Sequence, residues 1–185
     1  KLPDSLGLLE WMVVRLAGIQ RTDKPFITKR QVIVLCADNG VTAESITPSA
    51  PSVTAAQAVN FAKGGGTINA FANRLGAPVV CVDVGIATDY DHPAIRRHTV
   101  RKGTGNIAHG PAMSMEECLL AVEIGISLAK DAVDTGVELL IPGEMGIGNT
   151  TTSSAVASVL LNRPPEEVAA KGAGSPDKIR HKATV

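Results

Sequence analysis

Aromatic side chains are nearly missing from this 185-residue chain, which has one Trp, one Tyr and three Phe. Neither sign of charge is in excess: 18 Lys and Arg balance 18 Asp and Glu, for a formal net charge of zero. A nucleic-acid-binding surface calls for a basic excess and stacking side chains, so no nucleic-acid partner is expected. Long apolar runs are missing too. No stretch approaches the roughly 20 residues needed to cross a bilayer, and the N-terminus carries no signal-peptide pattern. No membrane partner is therefore expected, and the cytoplasm is the default location. Cysteine is scarce and odd in number. Cys36, Cys81 and Cys118 lie far apart, two of them in apolar strand-like runs, which suits buried free thiols better than disulfides or metal ligands. His92, His98, His109 and His181 form no pair at metal-ligand spacing, and Asp89-Tyr-Asp-His92 reads as a solvated turn. Neither a metal nor a cofactor is expected.

What is present is a regular alternation of apolar runs and amphipathic stretches. Leu6 to Gln20 has apolar residues at helical spacing. Gln31 to Ala37 and Pro78 to Asp83 are short and almost wholly apolar, as strands buried on both faces should be. Thr54 to Ala62 reads as a helix that breaks at Gly64-Gly-Gly66 and resumes to Leu75. Ile95 to Arg101 reads as a more exposed strand. Met115 to Thr135 is a long helix with Ser114 as its cap and Glu116 and Glu117 in the first turn, where the dipole favours acids. Val137 to Ile141 is the next strand and Ser153 to Leu161 the next helix. Strands separated by helices imply an α/β fold, a parallel sheet flanked by helices in a Rossmann-like three-layer arrangement. The length supports one such core. Lys1 is not a start methionine, and Lys182-Ala-Thr-Val185 stops inside an element that is only beginning. Residues 1–185 are accordingly expected to be a single α/β domain, incomplete at both ends, of a longer protein.

In open parallel sheets ligands bind at the carboxyl ends of strands. Three acidic positions fall there: Asp38 in Asp38-Asn-Gly40, Asp83, and Glu144. The last lies in Ile141-Pro-Gly-Glu-Met-Gly-Ile-Gly-Asn-Thr-Thr-Thr152, which joins a strand to a helix. Gly143, Gly146 and Gly148 would let backbone come close to an anion, and the N–H groups of the first helical turn would point at it. Asn149 and the threonines suit a helix N-cap. The segment is not a Walker loop, since no Lys-Ser or Lys-Thr pair follows the last glycine, and its glycine spacing is not that of dinucleotide-binding turns. Read on its own it is also compatible with a purely steric strand-to-helix turn, just as Asp38-Asn-Gly40 is with an ordinary turn. Glu144 would repel a phosphate, so its place is beside a sugar or a developing cation.

Pro142-Gly-Glu-Met-Gly-Ile-Gly-Asn-Thr-Thr151 resembles the signature of the nicotinate-nucleotide–dimethylbenzimidazole phosphoribosyltransferase family. Ser5-Leu-Gly-Leu-Leu-Glu10 resembles the family's opening Gly-Ser-Leu-Gly-Arg-Leu-Glu, with Asp4 for the glycine and Leu8 for the arginine. Cys36-Ala-Asp-Asn-Gly-Val41 resembles its Ala-Asp-His-Gly-Val, with Asn39 where many members have histidine. Val82-Asp-Val-Gly-Ile86, Gly103-Thr-Gly-Asn-Ile-Ala108 and Gly110-Pro-Ala-Met-Ser114 also match, in order, so the resemblance covers nearly the whole chain.

The resemblance implies transfer of 5-phosphoribosyl from nicotinate mononucleotide to 5,6-dimethylbenzimidazole, in making the lower-ligand nucleotide of cobalamin. Its partners would be these small molecules and a second copy in a homodimer. It implies phosphate and ribose contacts from Gly143, Gly146, Gly148, Asn149, Thr150 and Lys182, the last standing after a Gly-rich segment, Gly172-Ala-Gly174. Ser49 and Gln57 match positions that line the base pocket, where neutral groups can meet ring nitrogens without burying charge. Glu144 would sit beside the ribose as the catalytic carboxylate. The family's general-base glutamate would lie beyond Val185. Two other readings stay open: a related phosphoribosyltransferase with another acceptor, such as adenine or a phenol, and a non-catalytic nucleotide-binding module.

Overall fold

A computed structural model of the chain describes residues 5–169, 172 and 178–185. Asp4 of the opening motif and Gly174 of the Gly-rich segment lie outside them. Four strands form one parallel sheet: β1 (Arg30–Ala37), β2 (Val79–Gly85), β3 (Arg96–Arg97) and β4 (Leu139–Met145), in the spatial order β3-β2-β1-β4. The helices are α1 (Leu8–Gln20), α2 (Val53–Ala62), α3 (Thr67–Arg74), α4 (Met115–Asp134), α5 (Asn149–Leu161), α6 (Pro165–Val168) and α7 (Lys178–Thr184), with a 3-10 turn at Gly40–Glu44. The α/β architecture expected from the apolar pattern is the one observed.

Alternation along β1 divides the core between the two faces of the sheet, because successive side chains of a strand point to opposite sides. Val32, Val34 and Cys36 pack with Ala55 and Ala58 of α2 and Ala72 of α3. Ile33, one step out of phase, packs with Val82 of β2 and Leu128 of α4. Helices therefore cover the sheet on both sides. The small Ala residues of α2 and α3 let those helices lie close to the strands. Burial pushes the Cys36 thiol up to about 12, and Cys81 is raised by burial as well, so both behave as small apolar groups.

The chain leaves β1 by α2 and α3 on one face to reach β2, then crosses by α4 on the other face to β4, which lies on the opposite side of β1. The loops after β1, β2 and β4 all emerge at the carboxyl end of this parallel sheet. That is the place where such sheets bind ligands.

Three elements differ from the pattern reading. Strand β4 does not stop at Ile141 but continues to Met145, pairing Pro142 with Ile33 and Glu144 with Leu35 of β1. Pro142 is tolerated because β4 is an edge strand among the described residues, and one side of it needs no ladder donor. Helix α5 starts at Asn149, and its N-cap is Gly148 with φ of 89°, rather than the Asn-Thr-Thr run. The exposed strand is only two residues long, Arg96–Arg97. The cap of α4 is as expected: Ser114 Oγ accepts from Glu117 N at 3.1 Å while Glu117 Oε2 accepts from Ser114 N at 2.8 Å. Helix α1 buries none of its residues. No helix of the described residues is long and apolar enough to cross a membrane.

Candidate functional site

The end of β1 holds the loop after β4 from behind. Asn39 Nδ2 donates to the Ile147 carbonyl at 3.1 Å, and Asn39 Oδ1 accepts from Thr152 Oγ1 at 3.1 Å. From α2, the fully buried Thr54 presents Oγ1 to the Ile147 N–H at 3.1 Å. Both backbone groups of Ile147 are therefore held by side chains from elsewhere in the fold. Gly146 is required by packing, since a Cβ there would run into the Ala37 carbonyl and come within 2.9 Å of Asn39 Nδ2. Gly148 is required by its positive φ. Gly143 is in ordinary contact, its Cβ position lying 3.6 Å from the Ile33 carbonyl, so no steric demand of that kind falls on it.

On the open side of the loop four side-chain groups form a chain. Glu144 is exposed at the end of β4, and its Oε1 accepts from Asn149 Nδ2 at 2.5 Å. Asn149 Oδ1 accepts from the Thr150 N–H at 2.8 Å. Thr150 Oγ1 accepts from Lys182 Nζ at 3.1 Å. Lys182, carried by α7, is only 7% exposed, and burial lowers its pKa below the ordinary lysine value. Gly172 closes over this pair. Its φ is 57°, and a Cβ there would collide with Thr150 Oγ1 and lie 3.0 Å from Lys182 Nζ. Residues Gly146 to Thr150, with Thr47 and Lys182, line a cavity of 210 Å³. A desolvated cation stands on one wall of it and a helix N-terminus on another, both of which favour negative charge.

The structure thus brings Gly146, Gly148, Asn149, Thr150 and Lys182 together, with Glu144 tied to them through Asn149. Ser49 and Gln57 stand apart from this cavity. Ser49 is half-buried and its N–H donates to Thr47 Oγ1 at 3.3 Å; Gln57 Oε1 accepts from Asn60 Nδ2 at 3.3 Å. Asp38, 5% exposed, lines a separate 110 Å³ cavity with Val84, Val100 and Met113. Its Oδ2 accepts from Ala87 N at 2.8 Å, and its Oδ1 has no partner among the described residues. Asp83 braces the turn after β2: Oδ1 accepts from Gly85 N and Ile86 N, Oδ2 from the Tyr90 hydroxyl and Thr99 Oγ1, all between 2.8 and 3.0 Å. Burial and the bond to Asp83 push the Tyr90 hydroxyl up to about 12. Among the described residues no group of three or more His, Cys, Asp or Glu could hold a metal ion.

Sequence reasoning did not anticipate three contributors: Asn39 and Thr54, which hold the loop, and Thr47, which lines the cavity. Only the Asp-Asn-Gly motif signalled the first, and nothing in local spacing signalled the others.

Known proteins with this sequence pattern are numerous. The family profile described as Phosphoribosyltransferase matches residues 1–185. A nicotinate-nucleotide–dimethylbenzimidazole phosphoribosyltransferase of Acetivibrio thermocellus is 48% identical over 94% of this chain and 50% of its own length. One of Alkaliphilus metalliredigens is 44% identical over the whole chain and 54% of its own length. The crystal structure of CobT from Thermus thermophilus superposes with a TM-score of 0.94 at 40% identity, covering all of this chain and 56% of that one. The chain spans about half the length of the curated relatives it matches.

Proposed function

The chain belongs to the nicotinate-nucleotide–dimethylbenzimidazole phosphoribosyltransferase family, and from that premise we propose that the protein moves 5-phosphoribosyl from nicotinate mononucleotide to 5,6-dimethylbenzimidazole. The products are α-ribazole 5′-phosphate and nicotinate, in cobalamin biosynthesis. The observation that supports this reading most directly is the cavity in which Lys182, Thr150 and the N-terminus of α5 face one another, one hydrogen-bond step from an exposed carboxylate.

On this reading the 5′-phosphate enters the cavity. Loop N–H groups, Thr150 Oγ1 and the Lys182 ammonium hold it, and Gly143, Gly146 and Gly148 keep the backbone close. Asn149 bridges the phosphate end to Glu144, so that seating the phosphate also sets the carboxylate against the ribose. The C1′–nitrogen bond of the pyridinium breaks, and its electron pair leaves with nicotinate, whose ring nitrogen becomes neutral. Departure therefore needs no acid. Positive charge spreads over C1′ and the ring oxygen, where the Glu144 carboxylate stabilises it. The azole nitrogen, held near Ser49 and Gln57, closes on C1′. Its ring proton passes to the glutamate that the family resemblance puts beyond Val185.

We also propose that the protein acts in the cytoplasm as a homodimer. Exposed apolar side chains on α1 (Trp11, Val14 and Ile19) and on α5 (Val159 and Leu160) are what a second copy would cover. A light-scattering mass equal to one chain would refute the dimer.

The test of the activity is nicotinate release by the full-length protein supplied with the mononucleotide and 5,6-dimethylbenzimidazole. Equal amounts of nicotinate and α-ribazole 5′-phosphate are expected. Binding of the mononucleotide without release would replace the reading with a non-catalytic module. Release only with a different base would overturn the acceptor.

A further inference from the structure

Two successive residues of α7 face different partners. His181 Nε2 lies 2.7 Å from the Glu44 carbonyl oxygen, so that nitrogen carries the proton and donates. Lys182 Nζ donates to Thr150 Oγ1 at 3.1 Å. Neighbouring residues of a helix project about 100° apart, so fixing the His181 ring fixes the direction in which Lys182 leaves the helix. Helix α7 is seven residues long, too short to hold its shape without anchoring contacts. Its lysine is desolvated, which biases the ammonium toward water.

The anchor is itself held. Glu44 Oε1 accepts from Asn106 Nδ2 at 2.6 Å and from His109 Nε2 at 3.0 Å. Asn106 belongs to the Gly103–Ala108 motif, which the proposed chemistry leaves without a task, and His109 follows it. Glu44 ends the 3-10 turn that begins one residue after Asn39, the residue that grips the loop. The bonds thus run from the Gly103–Ala108 motif through Glu44 and His181 to the helix carrying Lys182.

We propose that His181 and Glu44 are positioning residues for Lys182: they clamp α7 so that the ammonium stays in the anion cavity. This rests on the reading of that cavity as the phosphate site. His181 touches no substrate; it acts through Lys182.

The decisive measurement is a double-mutant cycle in the full-length protein, read by ³¹P NMR titration with inorganic phosphate, with circular dichroism confirming that each variant is folded. His181→Phe keeps the ring and removes the donor, and should raise the phosphate Kd by about tenfold, in the range of one lost hydrogen bond. His181→Gln carries an N–H of similar reach and should return Kd to within about twofold of the parent. In a Lys182→Met background, His181→Phe should add nothing. Equal cost in both backgrounds, no cost in the parent, or no rescue by Gln would each overturn the proposal, as would a parent that binds no phosphate. A parent that follows the cycle but releases no nicotinate from the mononucleotide would uphold the positioning role and sink the transferase reading instead.

Discussion

Replacing Lys182 by Met should separate two effects that ordinarily move together. The substitution keeps an unbranched stem and removes the ammonium. Lys182 is nearly buried, and burial lowers its pKa. Folding then carries a desolvation cost for the ammonium that the variant avoids, so the variant should lose less stability than affinity. Thr150 Oγ1 loses a donor but lies beside an open cavity where water can replace it. Affinity should fall further. A hydrogen bond to a charged group contributes about 1.5–3 kcal/mol, so Kd for nicotinate mononucleotide should rise by roughly 10- to 150-fold. Isothermal titration and urea unfolding on the same preparation measure both quantities. A Kd within about twofold of the parent would remove Lys182 from the phosphate site. A loss of affinity matched by an equal loss of stability would show that the lysine supports the fold and not the ligand.

Thr54→Val keeps the shape of a fully buried side chain and strips the Ile147 N–H of its acceptor; unfolding free energy should fall by about 1–3 kcal/mol, and a change within about 0.3 kcal/mol, the scatter of independent sites, would show that the loop does not depend on this bond. Glu144→Gln can still accept from Asn149, so kcat for nicotinate release should fall by about 10²-fold or more with KM little changed; a kcat within about twofold of the parent takes Glu144 out of the catalytic machinery. Phosphate affinity should weaken as pH rises through the lowered Lys182 value, before the ordinary 10.5 is reached. In the same window the unfolded chain holds a proton the folded one lacks, so stability should rise with pH; affinity unchanged up to pH 10.5 would argue against a buried cation at the site. Because the pyridinium leaves with its charge already in place, turnover should survive EDTA, and a loss that one divalent ion restores would contradict that chemistry.

The sheet was legible where burial imposes a simple pattern. Strand β1 carries an almost continuous apolar run because both its faces are covered, and α4 announces its start through Ser114 and Glu117, three residues apart. Strand β4 was legible only as far as Ile141. Pro142 and Gly143 look like a strand terminator from composition, yet an edge strand can carry both, so Glu144 stands on a strand instead of in a loop. Carboxylates at strand ends are alike in sequence: Asp83 spends both oxygens on Gly85, Ile86, Tyr90 and Thr99, whereas Glu144 is exposed and turned toward Asn149. The distinction lies in partners that only the fold supplies. Lys182 was singled out by family resemblance, since nothing local relates it to Thr150, 32 residues earlier.

The bonds that shape the loop have a consequence for the order in which the molecule is made. Ile147 is held by Asn39 and Thr54, 108 and 93 residues away, and Thr152 by Asn39 across 113 residues. Neither Asn39 nor Thr54 lies on the supersecondary unit that carries Ile147. Contacts of such separation form only after the loop-closure entropy of the intervening chain has been overcome. A ribosome-bound chain that has released β1, α2 and β2 holds one half of the clasp with nothing in it. If the cavity takes the phosphate as proposed, anion binding can begin only once β4 has docked on β1 and α7 has brought Lys182 to Thr150, and phosphate uptake during refolding would time the completion of that assembly.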